Sequence, residues 1–327
     1  MATALFFARD PGPTNQIAAA WHLCGEAGPL VPEGAEKFRA DLAPFAAERL
    51  ALARGPAVAA LARAGIASES VADAFGAPGP RAAREAAAVS FLRARGVGVV
   101  VTGTSDVDED LDRILWAAAR SAGIESHVFL DHPANLAARF RDAGGELLLP
   151  DKLYAPDEGY RAALAAASVD FPDLRIVGPI HENRLAAGRT AAFAARGKLR
   201  ALWGATDCDH VVLFASECGR EMEAVGRKAP YDEIVELTKY TENLARSGAG
   251  TRTILVVRPH PRDAAGKYDA WSKAAPAMLR CVVSAAGAPA EAILAADLVV
   301  GMDSTMLREA RVLGRAHLSV VGATLAL

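Results

Sequence analysis

The sequence predicts an α/β protein of two Rossmann-like domains, each a parallel sheet flanked by helices, with the two sheets facing across a cleft. Three observations predict it. Short β-rich apolar runs alternate with Ala-rich helical stretches along all 327 residues, the pattern of parallel strands joined by crossover helices. The series of runs resets near residue 180, which divides the chain into domains at 1–180 and 181–327. Polar residues of chemical interest fall directly after the apolar runs, where open parallel sheets bind ligands. At 52% hydrophobic and 23% charged residues, the chain has material for two cores.

In the first half the expected strands are TALFFA (3–8), VGVVVTG (97–103), SHVFLD (126–131), KLYAP (152–156) and RIVGP (175–179). Between them, segments such as DLDRILWAAARSAG (110–123) carry the i, i+3, i+4 apolar spacing of helices. Residues 35–95 are rich in Ala, Glu and Arg with weak strand signals, and are expected as several helices covering the sheet. HENRLAAGRTAAFAARGKLRALWG (181–204) reads as a polar connector followed by one helix. The second strand series is HVVLFAS (210–216), RTILVV (252–257), LRCVVS (279–284), ADLVVG (296–301) and AHLSVVG (316–322), with helices at 231–248 and 291–296.

Lys plus Arg number 36 against 39 for Asp plus Glu, a formal net charge of −3, so no basic excess points to nucleic acid. Cys24, Cys208, Cys218 and Cys281 show no CxxC spacing, which argues against a zinc site or disulfide framework and for reduced cytosolic thiols. The apolar run before Arg9 and Asp10 is about five residues, too short for a signal peptide. No run approaches the ~18 residues of a membrane span. A cytoplasmic location is expected, with a homodimer and membrane-surface association left open.

RPHPRD (258–263) follows the run TILVV. Pro259 and Pro261 remove backbone donors and stiffen the turn, so that His260, flanked by Arg258 and Arg262, can hold a phosphate through charge-assisted hydrogen bonds. The same residues also make an ordinary rigid turn with solvated arginines. In ADLVVGMDSTMLREARVLG (296–314), Asp303 or Ser304 is a helix N-cap and the first-turn amides can take an anion. Ser304 and Thr305 add hydroxyls. Glu309, one turn beyond Thr305, either accepts ribose hydroxyls or is a solvated helix residue. The Asp303 charge would repel a phosphate if it pointed the same way. In FASECGRE (214–221), Ser216 and Gly219 are placed to approach phosphates, while Cys218 has no base beside it.

RPHP after one strand and DLVVGMDSTMLREARVLG after another resemble the C-terminal half of GT-B enzymes. Within that superfamily they are similar to UDP-N-acetylglucosamine 2-epimerases, CDP-glycerol glycerophosphotransferases and bacterial sialyltransferase-like proteins. The resemblance covers those segments only; DST stands where the epimerases have SGG, and no GHxxR loop occurs near the N-terminus. It implies that His260, Ser304 and Thr305 take the donor phosphates and Glu309 the ribose. It further implies a glycosyltransferase that moves a sugar or related glycosyl phosphate from a UDP-, CDP- or CMP-linked donor to a glycan, lipid-linked or small-molecule acceptor in surface polysaccharide or glycoconjugate synthesis, with no tightly bound cofactor or metal. The alternatives are a nucleotide-sugar 2-epimerase or hydrolase, and a non-catalytic nucleotide-binding module. The chain ends in AHLSVVGATLAL (316–327), where the resemblance implies a further helix returning to the first domain.

The first half is expected to serve the acceptor. ARDPGPTN (8–15) places Asp10 after the first strand as candidate general base, Gly12 where backbone can approach a ligand, and Thr14 or Asn15 as helix cap; Asp-Pro-Gly is equally an ordinary turn. VFLDHPANLAARF (128–140) offers Asp131 and His132 as a second candidate pair, ahead of Asn135 and Arg139. In TGTSDVDED (102–110), Thr104 and Ser105 are expected toward the cleft. Its four acids lack the glycine and glutamate of an EF-hand and read as helix N-terminal charges, not metal ligands. His181 and Glu182 fall at the expected hinge.

Overall fold

A computed structural model describes residues 2–25, 34–71, 79–105, 110–133, 135–142, 144–171, 173–224, 226, 228–248 and 252–322. The chain divides into two compact units, Met1–Arg184 and Leu185–Leu327.

The first unit runs β1 (Thr3–Ala8), α1 (Pro11–Gly25), α2 (Ala35–Leu42), β2 (Arg49–Ala53), α3 (Pro56–Arg63), β3 (Glu69–Ser70), α4 (Arg81–Ala94), β4 (Val97–Thr102), α5 (Leu111–Ala122), β5 (Glu125–Phe129), α6 (Leu136–Arg139), β6 (Lys152–Ala155), α7 (Gly159–Ala166) and β7 (Leu174–Ile176). Helix α8 (Ile180–Ala187) crosses the boundary. The second unit continues with α9 (Arg189–Phe193), α10 (Arg196–Leu202), β8 (His210–Ala215), α11 (Gly219–Ala224), α12 (Glu233–Arg246), β9 (Thr253–Arg258), α13 (Asp269–Ala274), β10 (Arg280–Val283), α14 (Pro289–Ala295), β11 (Leu298–Gly301), α15 (Thr305–Val312) and β12 (Ala316–Ser319).

The sheets are ordered β3-β2-β1-β4-β5-β6-β7 and β10-β9-β8-β11-β12, and the described pairings within them are all parallel. Both faces are covered, which is why the central strands are apolar throughout and do not alternate. In β1, Phe6 packs with Ile17 and Phe38 on one face, while Leu5 and Phe7 pack with Leu92 and Ile114 on the other. In β8, Val211 and Leu213 face Ile293 and Leu307, while Val212 and Phe214 face Leu237 and Trp271.

Two expectations are corrected. Residues 35–95 are not helices alone: β2 lies beside β1 in the sheet, with Ala4 opposite Arg49 and Ala8 opposite Ala53, and β3 beyond it. RLALA contains no β-branched residue, so its strand state follows from burial against β1 and not from local preference. Residues 181–204 form three short helices, α8 to α10, in place of a connector and one helix.

Helix α2 is fixed to the first sheet by Phe38, whose ring meets Phe129 and Tyr154 edge-on at centroid distances of 5.3 and 6.1 Å. At the helix end, the Tyr154 hydroxyl donates to Asp41 (2.6 Å), which also pairs with Lys152 and Arg175. Phe38 is fully buried, so Phe38→Ala is expected to cost about 3–5 kcal/mol. A fall in the urea midpoint checks this; an unchanged midpoint would show that α2 adds nothing to the fold.

Candidate functional site

Each sheet has one place where the winding reverses. From β1 the chain adds β2 and β3 on one side, then returns to add β4 on the other; in the second unit it reverses between β8 and β11. Loops leaving the two strands at such a point diverge and open a crevice at their carboxyl ends. Most of the candidate residues fall in these two corners.

In the second unit, RPHPRD leaves β9 beside the crevice. Arg258 does not present its charge as expected: its guanidinium donates to the carbonyls of Ala286 (2.9 Å) and Gly287 (2.8 Å), tying the end of β9 to the loop before α14. His260 Nδ1 accepts the Arg262 N–H (3.1 Å), which leaves the ring proton on Nε2. Burial pushes this imidazole down to about 4 against the opposing pull of Asp263. The ring is therefore neutral at pH 7 and offers one N–H donor.

The turn owes its rigidity to more than its prolines. Asp263 accepts the His260 N–H (2.7 Å), the Tyr268 hydroxyl (2.8 Å) and the Lys267 ammonium (2.7 Å). Tyr268 also bonds Ser216. Lys267 reaches Glu221 (2.6 Å), Glu233 and the Glu217 carbonyl (3.3 Å). Burial alone would lower the Lys267 ammonium, but its bonds to Asp263, Glu221 and Glu233 outweigh that and hold it well above its ordinary value. One buried cation thus joins the loops after β8 and β9 to the start of α12.

Ser304 is the N-cap of α15, accepting the Met306 N–H at 3.2 Å, and Thr305 is exposed beside it. The Asp303 N–H donates to Glu217 Oε1 (2.8 Å), linking the β8 and β11 loops across the crevice. Burial pushes the Glu217 carboxyl up. Glu309 is 6% exposed, on the inner face of α15 with Leu307 and Ala310, so it is not a solvated helix residue. Ser216 is buried against Tyr268. Gly219 is required by the protein's own packing, since a methyl group there would meet Glu233 and the Tyr231 carbonyl. These two serve the loop architecture. Burial also raises the Cys218 thiol.

In the first unit, Asp10 is 9% exposed and paired with Arg9 at 3.1 Å. Its carbonyl accepts the Thr14 N–H and hydroxyl, and α1 already begins at Pro11, ahead of the expected cap at Thr14 or Asn15. A methyl group at Gly12 would run into Asp131 Oδ2, and one at Gly103 into Pro13, so the loops after β1, β4 and β5 touch. Arg139 organises them: its guanidinium donates to Asp131 (2.7 Å), to Thr104 (3.0 Å) and to the His132 carbonyl (3.3 Å). Asp131 and the Asp10 loop therefore share one corner, and His132 is half-buried at its side. Ser105 donates its N–H to the buried carboxylate of Asp112 (2.6 Å), which burial pushes up to about 6 against Arg113. His181 and Glu182 are half-buried in α8. Of the acids at 102–110, Asp106, Asp108 and Glu109 lie outside the described residues; Asp110 precedes α5 and pairs with Arg84. Among the described residues no three His, Cys, Asp or Glu side chains are grouped to hold a metal.

Sequence reasoning missed Asp263, Lys267, Tyr268, Glu217 and the organising role of Arg139. The i, i+4 spacing of Asp263 and Lys267 was a usable signal; the convergence of Glu221 and Glu233 on Lys267 was not, because it depends on how β8, β9 and α12 pack.

No protein-family model matches the chain, and no curated protein matches it significantly. Solved structures do. The UDP-GlcNAc 2-epimerase from Methanocaldococcus jannaschii superposes with a TM-score of 0.63 at 11% identity, covering 98% of this chain and 83% of that one. The UDP-GlcNAc 2-epimerase from Neisseria meningitidis, bound to UDP-GlcNAc, gives 0.60 at 11% identity over 98% and 82%. A glycosyltransferase from Rickettsia africae gives 0.55 at 9% over 97% and 79%. At these identities the likeness is one of fold: the chain has two Rossmann-like units of the GT-B type.

Lys267 is 5% exposed, and its removal strands buried carboxylates, so Lys267→Met is expected to cost about 3–5 kcal/mol; chemical denaturation measures it, and a neutral result would dismiss the cage. Asp112 gives a pH signature. Its folded value of about 6 lies above the ordinary 3.8, so the folded state binds this proton more tightly and the group's contribution to stability rises as pH falls from 7 toward 4, by about 3 kcal/mol at most. Asp297, held at about 2 chiefly by the Val211 amide and two arginines acting against burial, withdraws its stabilisation only as pH falls below about 4. Asp112→Asn is expected to abolish the gain between pH 7 and 4 in a stability titration; persistence of the gain would assign it elsewhere.

Proposed function

We propose that the chain is a nucleotide-sugar-dependent enzyme that transfers a glycosyl group, or a related glycosyl phosphate, to an acceptor. The observation that carries the reading is the corner of the second unit, where the β8, β9 and β11 loops are locked together by the Asp263–Tyr268–Ser216 and Glu217–Asp303 links. In this reading the first-turn amides of α15, the His260 Nε2–H and Arg262 receive the phosphates, and Glu309 the ribose. Negative charge developing on the leaving phosphate would meet donors already in place, the arrangement that electrostatic preorganisation needs. Asp10 or Asp131, in the corner of the first unit, would take the proton of the acceptor hydroxyl as its oxygen attacks the anomeric carbon. The fold neighbours named as 2-epimerases favour a second reading, a nucleotide-sugar 2-epimerase or hydrolase using the same nucleotide corner.

The test is a thermal-shift screen of UDP, CDP, CMP, GDP and ADP, with and without Mg²⁺, on wild type and His260→Ala. Ligand at about 100 times its dissociation constant stabilises by about 2.7 kcal/mol, so a selective rise in Tm, lost in His260→Ala, is expected. No shift with any nucleotide would overturn both enzyme readings. With the matching sugar nucleotide, Asp10→Asn and Asp131→Asn should keep the Tm shift; loss of about 100-fold or more in rate in one of them would identify the base. Formation of a 2-epimer or free sugar without acceptor would select the second reading, and binding without turnover would leave a nucleotide-binding module.

A further inference from the structure

Helices α9 and α10 lie in a stretch without acidic residues. Between Leu185 and Thr206 the sequence carries Arg189, Arg196, Lys198 and Arg200 and no Asp or Glu, within a chain whose net charge is −3. The inner face of α10 is well anchored. Leu199 and Trp203 join the core under α14, and Arg196 and Arg200 bond the carbonyls that end α14 and the carboxylate of Asp297.

The outer face is of another kind. Ala194, Gly197, Lys198, Ala201 and Leu202 are exposed, and Lys198 and Leu202 lie one turn apart on the same side. Leu202 is 64% exposed and Phe193 47%. Phe193 has two guanidiniums near its ring, Arg196 at 5.9 Å and Arg315 at 5.8 Å from its centre. The Arg189 guanidinium lies against Gly314, next to Arg315. Burial, then the neighbouring Arg196, lowers the Arg315 guanidinium, as expected where cations are crowded. An ordinary solvated helix face mixes signs, as α12 does with its Glu236–Lys239 pair. Here Phe193 and Leu202 are exposed together with Lys198 and Arg189, while Asp297 is the carboxylate that pairs with Arg196 and Arg200.

We propose that the outer face of α9 and α10 docks onto an anionic lipid bilayer, with Phe193 and Leu202 at the acyl boundary and Arg189 and Lys198 at the headgroup phosphates. Exposed aromatic and aliphatic side chains among Lys and Arg are the combination that interfacial binding uses. Charge complementarity selects the occupant, because a second copy of this face would bring cation against cation. Docking also leaves the nucleotide corner clear. Arg196 and Arg200 fasten α10 to Asp297, which also accepts the Val211 N–H, at the amino ends of β11 and β8, whereas the corner lies at their carboxyl ends. The inference does not depend on the nucleotide reading.

The test is co-sedimentation with phosphatidylcholine vesicles, with and without about one-third phosphatidylglycerol, at low and high salt. Wild type is expected to pellet with the anionic vesicles only and to be released by salt. Each basic residue at a surface is worth about fivefold in partition, so Lys198→Glu and Arg189→Glu should each lower binding about fivefold or more. The double variant Phe193→Ser with Leu202→Ser should lose it even at low salt. All four positions are exposed, and unchanged melting temperatures are expected. Equal partition into neutral and anionic vesicles, or wild-type binding in the charge-reversal variants, would overturn the proposal. Self-association of wild type that Leu202→Ser abolishes, without vesicle binding, would reassign the face to a second copy and also overturn it.

Discussion

A parallel sheet cannot be built from hairpins, so each strand must be reached by a crossover, and the direction in which crossovers wind decides where loops diverge. In both units the winding reverses at the first strand laid down, β1 in one and β8 in the other. That constraint accounts for most of what distinguishes the molecule. It demands strands apolar on both sides, which β1, β4, β8 and β9 supply, and it sends the polar residues that follow those strands into two crevices. The Asp10 loop and Asp131 meet in the first, and the β8, β9 and β11 loops meet in the second, although these residues are far apart in sequence.

Charge is handled differently in the two corners. In the first, each carboxylate is paired with an arginine from a neighbouring position or helix, Arg9 for Asp10 and Arg139 for Asp131. In the second, two prominent cations are committed to the protein itself: Arg258 to carbonyls and Lys267 to a cage of carboxylates. His260 is neutral. An anion placed there would meet N–H dipoles, one neutral imidazole and Arg262, with Asp303 and Glu217 as opposing charges nearby. Dipoles held rigidly lose little on meeting a ligand, because their orientation is already set, and the Lys267 cage sets it. The cage sets three carboxylates around one structural lysine, and its part is to fix the turn that carries His260.

The fold was legible in the sequence wherever β-branched residues dominate, as in VGVVV and TILVV. It was not legible at β2, because RLALA suits a helix as well as a strand and only the neighbouring β1 decides between them. At the sites, RPHPRD and DST were legible as turns after strands, and Ser304 as a cap. What was not legible was how the polar side chains distribute their bonds. An arginine after a strand looks like a ligand group until the carbonyls of Ala286 and Gly287 are found within its reach, and a serine after β8 looks available until Tyr268 is found against it. Such assignments are tertiary by nature, since the partner is many residues away.

The exposed and anchored cations of α9 and α10 are of two kinds. Arg196 and Arg200 are held at the end of α14, where carbonyls left without helical partners and the negative end of the helix dipole favour cations, and Asp297 completes their pairing. Their presence needs no ligand. Lys198 and Arg189 are exposed in the same short helices, Arg189 beside Gly314 just past the end of α15, and Phe193 and Leu202 are left in solvent. Exposed Phe193 and Leu202 together with exposed Lys198 and Arg189 offer the two attractions, apolar and electrostatic, that an anionic bilayer satisfies together. The helix pair therefore has two faces with separate causes: one required by the fold, and one that the fold leaves unexplained.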